Sequence, residues 1–113
     1  MRVHKIFDCI TFFNENDLLY LRLNILDKFV DYFVICEAEE DHRGNKKKLN
    51  FEINKFKKFE SKIIYLVVKK FENCKRSWDR QDYQRDYLIN GLTKANSNDI
   101  ILFSDADEIP NLN

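Results

Sequence analysis

Glycine and proline are almost missing, with two Gly and one Pro in 113 residues. Flexible linkers and domain boundaries draw on both, so residues 1–113 read as one unit of ordinary domain size. An excess of either charge is missing too: 19 basic side chains meet 19 acidic ones. That balance excludes the bulk positive field by which proteins hold nucleic acid. No apolar run approaches the ~20 residues of a membrane helix. Met1-Arg2-Val3-His4-Lys5 leads straight into Ile6-Phe7-Asp8, without the apolar region and cleavage site of a secretory signal, so a cytoplasmic location is expected. Cysteine is scarce. Cys9, Cys36 and Cys74 form no CxxC pair and are odd in number, which argues against a disulfide framework or a zinc site. Cys9 and Cys36 lie in apolar runs and read as small buried hydrophobes. What is plentiful is core material: 44% hydrophobic residues, with ten Phe and five Tyr, too much for a disordered chain.

The pattern along the chain alternates. Lys5 to Phe13 is rich in β-branched and aromatic residues and predicts a strand, and Asn14-Glu15-Asn16-Asp17 supplies turn chemistry and a helix cap. Leu18, Leu19, Arg22, Ile25, Leu26, Phe29 and Val30 then recur at helical spacing. Tyr32 to Glu37 has the continuous apolar pattern of a strand buried on both faces. After a polar stretch, Ala38 to Lys48, the sequence predicts a short helix over Leu49 to Phe59 and a strand over Ile63 to Val68. The longest helical candidate is Trp78 to Ala95, and Asp99 to Ser104 is a fourth strand. Strand and helix in alternation imply an α/β domain, a mostly parallel four-stranded sheet with helices on both faces. Ligands of such sheets bind at the carboxyl ends of the strands, near a switch in strand order.

Asp105-Ala106-Asp107-Glu108 follows the fourth strand directly. If the extended geometry persists, Asp105 and Asp107 point to the same side. Two carboxylates at one point repel unless a cation neutralises them, and Mg²⁺-like ions take one or two carboxylates plus substrate phosphates. The pair is therefore either a polar turn closing the strand or a platform for a metal bridging a diphosphate. At 100° per residue, Trp78, Gln81, Arg85, Leu88, Leu92 and Ala95 form one helical stripe. This puts Arg85 on the face toward the sheet, with either a carboxylate or phosphate partner or a stem lying on the core; Arg80 falls on the solvent side. Residues 42–62 carry eight basic and two acidic side chains, while 99–113 carry four acidic and no basic ones. The basic stretch is either a solvated face or a surface for an anionic substrate. His42 stands in the polar loop without a second ligand at zinc spacing.

Several segments together resemble glycosyltransferase family 17. They are Phe13-Asn14-Glu15-Asn16-Asp17-Leu18-Leu19 with Arg22-Leu23, and Val30 to Ala38. His42, Gly44, Lys47, Leu49 and Phe51 follow at matching spacing, then Lys62 to Tyr65, Trp78, Tyr83-Gln84-Arg85 and Gly91-Leu92. Asp99 to Leu102 and Ser104 to Pro110 complete the match, in order, over nearly the whole chain. The resemblance implies a GT-A-like, Rossmann-like fold that transfers N-acetylglucosamine from a UDP-sugar donor to a glycan acceptor, with Mn²⁺ or Mg²⁺. By it, Asp105 and Asp107 hold the ribose and the metal–diphosphate, Glu37 lies near the uridine, and Arg85 neutralises phosphate or orients the acidic cluster. His42, Gly44 and Lys47 shape the rim. Gln81 departs from the family's Trp-x-x-Glu pattern, and Lys69 stands where an acid is common. In this fold the acceptor site, the general base and a later metal ligand come from the half that follows. The chain is thus expected to be the nucleotide-binding half of an incomplete domain, with an exposed apolar seam after Pro110. A binding module without turnover of its own is the alternative. A nucleotidyltransferase would need a Gly-rich pyrophosphate loop after its first strand, where Phe13-Asn14-Glu15 stands instead.

Overall fold

In the computed structural model, which describes residues 4–112, the chain runs β1 (Ile6–Thr11), α1 (Asn16–Leu26), β2 (Tyr32–Ala38), β3 (Ile63–Val68), α2 (Ser77–Tyr87) and β4 (Ile100–Asp105). Two 3-10 segments, Ile53–Lys62 and Leu88–Gly91, precede β3 and extend α2. The strands pair in the order β3-β2-β1-β4, all parallel. This is the expected α/β sheet, with helices on both faces.

Side-chain alternation divides the core in two. Ile10, Phe33 and Ile35 meet Leu19, Leu23 and Leu26 of α1 and Phe56 and Phe59 of the first 3-10 segment. Phe7, Cys9, Val34, Cys36 and Val68 face Phe71 and Leu88, with Tyr83 and Tyr87 of α2 against them. Every residue of β2 from Phe33 to Ala38 is buried, as its continuous apolar pattern predicts. Asp8 and Glu37 occupy core positions on the α1 face and are fully buried.

Three elements differ from expectation, each for a packing reason. The helix expected over Leu49 to Phe59 is a kinked 3-10 segment starting at Ile53. Phe56 and Phe59, three residues apart, both bury, and three residues is the 3-10 repeat. The long helix stops at Tyr87 and tightens, because Gly91 lies so close to the sheet that a methyl there would run into the Val34 side chain. The buried stripe of α2 is also rotated from the expected one. Leu88 buries as expected, but in the turns before it Gln84 buries instead of Gln81 and Arg85, and Trp78 stays exposed under the Arg76 guanidinium, 4.4 Å from its ring. Last, Ile109 and Leu112 pack against the α1-side core. Exposed apolar side chains at the β4 edge include Ile100 and Phe103, with Ile89 of the second 3-10 segment also exposed. No helix among the described residues is long and apolar enough to cross a membrane.

Candidate functional site

Strand order reverses between β1 and β4, so the crevice at their carboxyl ends is the topological switch point. A cleft of about 170 Å³ opens there, lined by Thr11, Phe12, Phe13, Glu15, His42, Gln81, Gln84, Asp105 and Ala106. Three loops surround it, following β1, β2 and β4.

The β4 loop is a closed turn. The strand ends at Asp105, and the Glu108 amide donates to the Asp105 carbonyl (3.0 Å) while Glu108 Oε1 accepts from the Asp105 amide (2.9 Å). Asp105 and Asp107 therefore belong to a turn and not to one face of an extended strand, because the strand ends in the middle of the motif. Both carboxylates are exposed. Beneath the turn lies Arg22 of α1, fully buried. Its Nε and Nη2 donate to Asp8 Oδ2 and Oδ1 at 2.8 and 2.7 Å, a bidentate pair. Nη2 also donates to Ser104 Oγ (2.6 Å), and Nη1 reaches the carbonyls of Asp105 (3.1 Å), Ala106 (3.4 Å) and Glu108 (2.6 Å). The backbone of the acidic turn is wrapped around one guanidinium. Sequence periodicity put Arg22 in an apolar stripe, which was the signal of burial; its partners around the turn, more than 80 residues away, left none.

Arg85 reaches the same turn from the opposite face. Its Nη2 stands 3.9 Å from Asp105 Oδ1, with both side chains about half exposed. The acidic partner is as expected. The expected orientation toward the sheet is not found, because Gln84 takes that position.

The β2 loop is held by Glu37. Its carboxylate accepts from Lys47 Nζ (2.7 Å), the amides of Asn50 (2.6 Å) and Phe51 (3.0 Å) and the Tyr65 hydroxyl (2.7 Å). Burial first, and then this carboxylate, push the Tyr65 phenol far above its ordinary range. The Glu37 side chain has no exposed surface, so it cannot touch a nucleoside without giving up these partners. Lys47 is committed to Glu37 and the Ala38 carbonyl, with Phe13 under its ammonium.

Farther along, Asp41 caps a tight bend. Its Oδ1 accepts from the Arg43 and Asn45 amides, which hold the carboxyl below the usual range, Asn45 contributing most. Gly44 sits there at φ +89°, and a Cβ would stand 2.8 Å from Arg80 Nη2. Arg80 is thus not on the solvent side. It crosses Gly44 and donates to the carbonyls of His42 (3.1 Å) and Cys74 (3.4 Å). The His42 ring meets Gln84, with Nε2 2.9 Å from Oε1.

The β1 loop offers no phosphate cradle. The Phe13 and Asn14 amides both donate to Glu15 Oε1 at 2.8 Å. The cap on α1 falls within the expected segment, Asn14 to Asp17, but without a side-chain bond. Glu15 is the N-cap without a side-chain bond to the helix, and Asn16 ties instead to the Asn50 carbonyl and the Glu52 amide. The structure thus gathers Asp105, Arg85 and His42 at the crevice, with Asp107 on the same turn as Asp105, and makes Glu37, Gly44 and Lys47 the supports of its rim. Lys69 is exposed beyond β3, and Gln81 lines the cleft.

Among the described residues no three His, Cys, Asp or Glu groups converge as a complete cation cage. Two accessible carboxylates on one turn fit the smaller demand of Mg²⁺ or Mn²⁺, which take one or two carboxylates and complete their shell with phosphate and water.

The sequence profile of glycosyltransferase family 17 matches residues 1–113. The chain is 29% identical over 116 aligned residues to the β-1,4-mannosyl-glycoprotein 4-β-N-acetylglucosaminyltransferases of rat and human, and 28% to that of mouse. Each alignment covers 94% of this chain and 22% of the relative. The chain thus spans about a fifth of the length of these curated relatives. No solved structure matches it.

Proposed function

The chain belongs to glycosyltransferase family 17, and from that premise we propose that it binds the nucleotide-sugar donor of a glycosyltransferase. The whole protein's reaction is then metal-dependent transfer of N-acetylglucosamine from a UDP donor to a glycan. The observation that carries the reading is the acidic turn at the switch point, with two accessible carboxylates on a backbone fixed from below by Arg22. Asp107 and Asp105 hold the divalent ion, Mn²⁺ or Mg²⁺, and Asp105 also meets the ribose. When bound, that ion supplies charge neutralisation for the departing diphosphate. Arg85 keeps Asp105 oriented and presents the rest of its half-exposed fork to phosphate. His42 forms the rim opposite the turn, and Glu37 and Lys47 hold the loop that carries it.

Calorimetric titration of UDP with and without Mn²⁺ tests the assignment. Binding should need the ion, and Asp107→Ala should weaken it at least tenfold, about 1.4 kcal/mol, without changing the melting temperature. Equal UDP binding without the ion, or by the variant, would overturn it.

A further inference from the structure

Gln84 determines which nitrogen of His42 carries a proton. This glutamine is 4% exposed. Its Nε2 donates to the carbonyls of Cys36 (2.8 Å), near the end of β2, and Phe12 (3.2 Å), just past β1. Carbonyl oxygens only accept, so the amide nitrogen must lie there, and both its protons are used. Oε1 then faces His42 Nε2 at 2.9 Å. An amide oxygen has no proton to give, so Nε2 must bring its own. The neutral ring therefore has Nδ1 bare. Arg80 fixes the backbone of His42 through its carbonyl, and Phe71 packs on the ring with centroids 5.9 Å apart. Among the described residues Nδ1 has no partner, and His42 lines the switch-point cleft. His42 thus brings a bare ring nitrogen to a residue that lines the ligand site, a feature the proposed donor reading does not use.

We infer that His42 Nδ1 accepts the imide N–H of a uracil base and so selects a uridine donor against a cytidine one. The inference rests on the donor reading above. The cleft volume, about 170 Å³, is below the ~300 Å³ at which pockets for drug-sized ligands begin. It suits one ring of a nucleotide, not the whole molecule. The half-exposed Phe13 ring at its mouth offers an apolar face for that ring. Uracil carries a proton on N3 and satisfies a bare imidazole nitrogen. Cytosine carries a lone pair there, so two acceptors would face each other with neither satisfied.

The test compares UDP and CDP, each with Mn²⁺, on the unsubstituted chain and two variants. UDP should bind at least about tenfold more tightly than CDP, the worth of roughly one hydrogen bond. His42→Phe should lose that preference, because UDP loses its acceptor and CDP is freed from the facing lone pair. His42→Asn, whose carbonyl oxygen can occupy the place of Nδ1, should keep most of it. Nitrogen-15 NMR of the free chain reads the tautomer directly: Nε2 protonated and Nδ1 bare, with that preference lost in Gln84→Leu. An Nδ1–H tautomer, equal affinity for the two nucleotides, or an unchanged preference in His42→Phe overturns the inference while the donor reading stands. Failure of the unsubstituted chain to bind UDP at all overturns both.

Discussion

Replacing Arg22 by methionine separates what the buried ion pair does for stability from what it does for the acidic turn. In Arg22→Met the Asp8 carboxylate, with no exposed surface, loses the guanidinium that meets both its oxygens at 2.7 and 2.8 Å. Removing one partner of a buried pair costs about 3–5 kcal/mol, most of it the burden of a stranded charge. Against a total stability of about 5–15 kcal/mol for a domain this size, that is a large loss. At about 4 °C per kcal/mol or more, melting should fall by roughly 12 °C or more. The double variant Asp8→Leu/Arg22→Met removes both charges and fills much of the same volume, and such replacements are often neutral or stabilising. It should therefore recover most of the loss. The turn should not recover, because the carbonyls of Asp105, Ala106 and Glu108 have lost their shared donor in both variants. Urea denaturation followed by circular dichroism measures the first effect. Hydrogen exchange at the Glu108 amide, which closes the turn on the Asp105 carbonyl, measures the second. A double variant no more stable than Arg22→Met would refute the stranded-charge account. Unchanged Glu108 exchange in the double variant would refute the clamp.

Two further outcomes follow from burial. Burial first, and then the neighbouring carboxylates Asp8 and Glu37, push the Cys9 and Cys36 thiols up from 9.0 to about 12. At pH 8 a thiol reagent should modify only the partly exposed Cys74 until the chain is unfolded, and rapid labelling of all three would contradict the packing. The folded thiols keep protons that the unfolded chain releases above about pH 9, so their contribution to stability is complete below that pH and is lost between about 9 and 12. Gly91→Ala drives a methyl into Val34, and overpacking of this kind costs about 1–3 kcal/mol; an unchanged urea midpoint would show that the close approach does not hold in solution.

The strands were legible because β propensity and burial agree there. All four observed strands lie within two residues of the expected ends. Helix phase was less legible. The stripe through Trp78, Gln81 and Arg85 treated the indole as a core residue, yet the inner face of α2 is set by Gln84, whose amide finds two carbonyls near strand ends. That single error reversed two arginines, making Arg85 inward and Arg80 outward, when Arg80 is the one packed across Gly44. The acidic motif was legible as residues but not as geometry, because spacing alone does not reveal that β4 ends at Asp105. Arg22 marks the deeper limit. Periodicity reports the face a side chain is on, whereas its function here comes from partners 82 to 86 residues distant.

Those hidden partners follow one rule around the cleft. Each loop is held from beneath by a polar side chain that projects from a regular element and spends part of its hydrogen-bonding capacity on backbone. Arg22 on α1 takes the carbonyls of the acidic turn, Glu37 on β2 takes the amides of Asn50 and Phe51, and Gln84 on α2 takes the carbonyls of Phe12 and Cys36. Replacing such a side chain and its buried partner together by apolar groups would lower the desolvation cost. It would leave the loop geometry unspecified. The buried polar groups are therefore best explained by the site: stability would tolerate their replacement together with their buried partners, as in Asp8→Leu/Arg22→Met, whereas a crevice that must present Asp105, Asp107 and His42 in fixed relation would not.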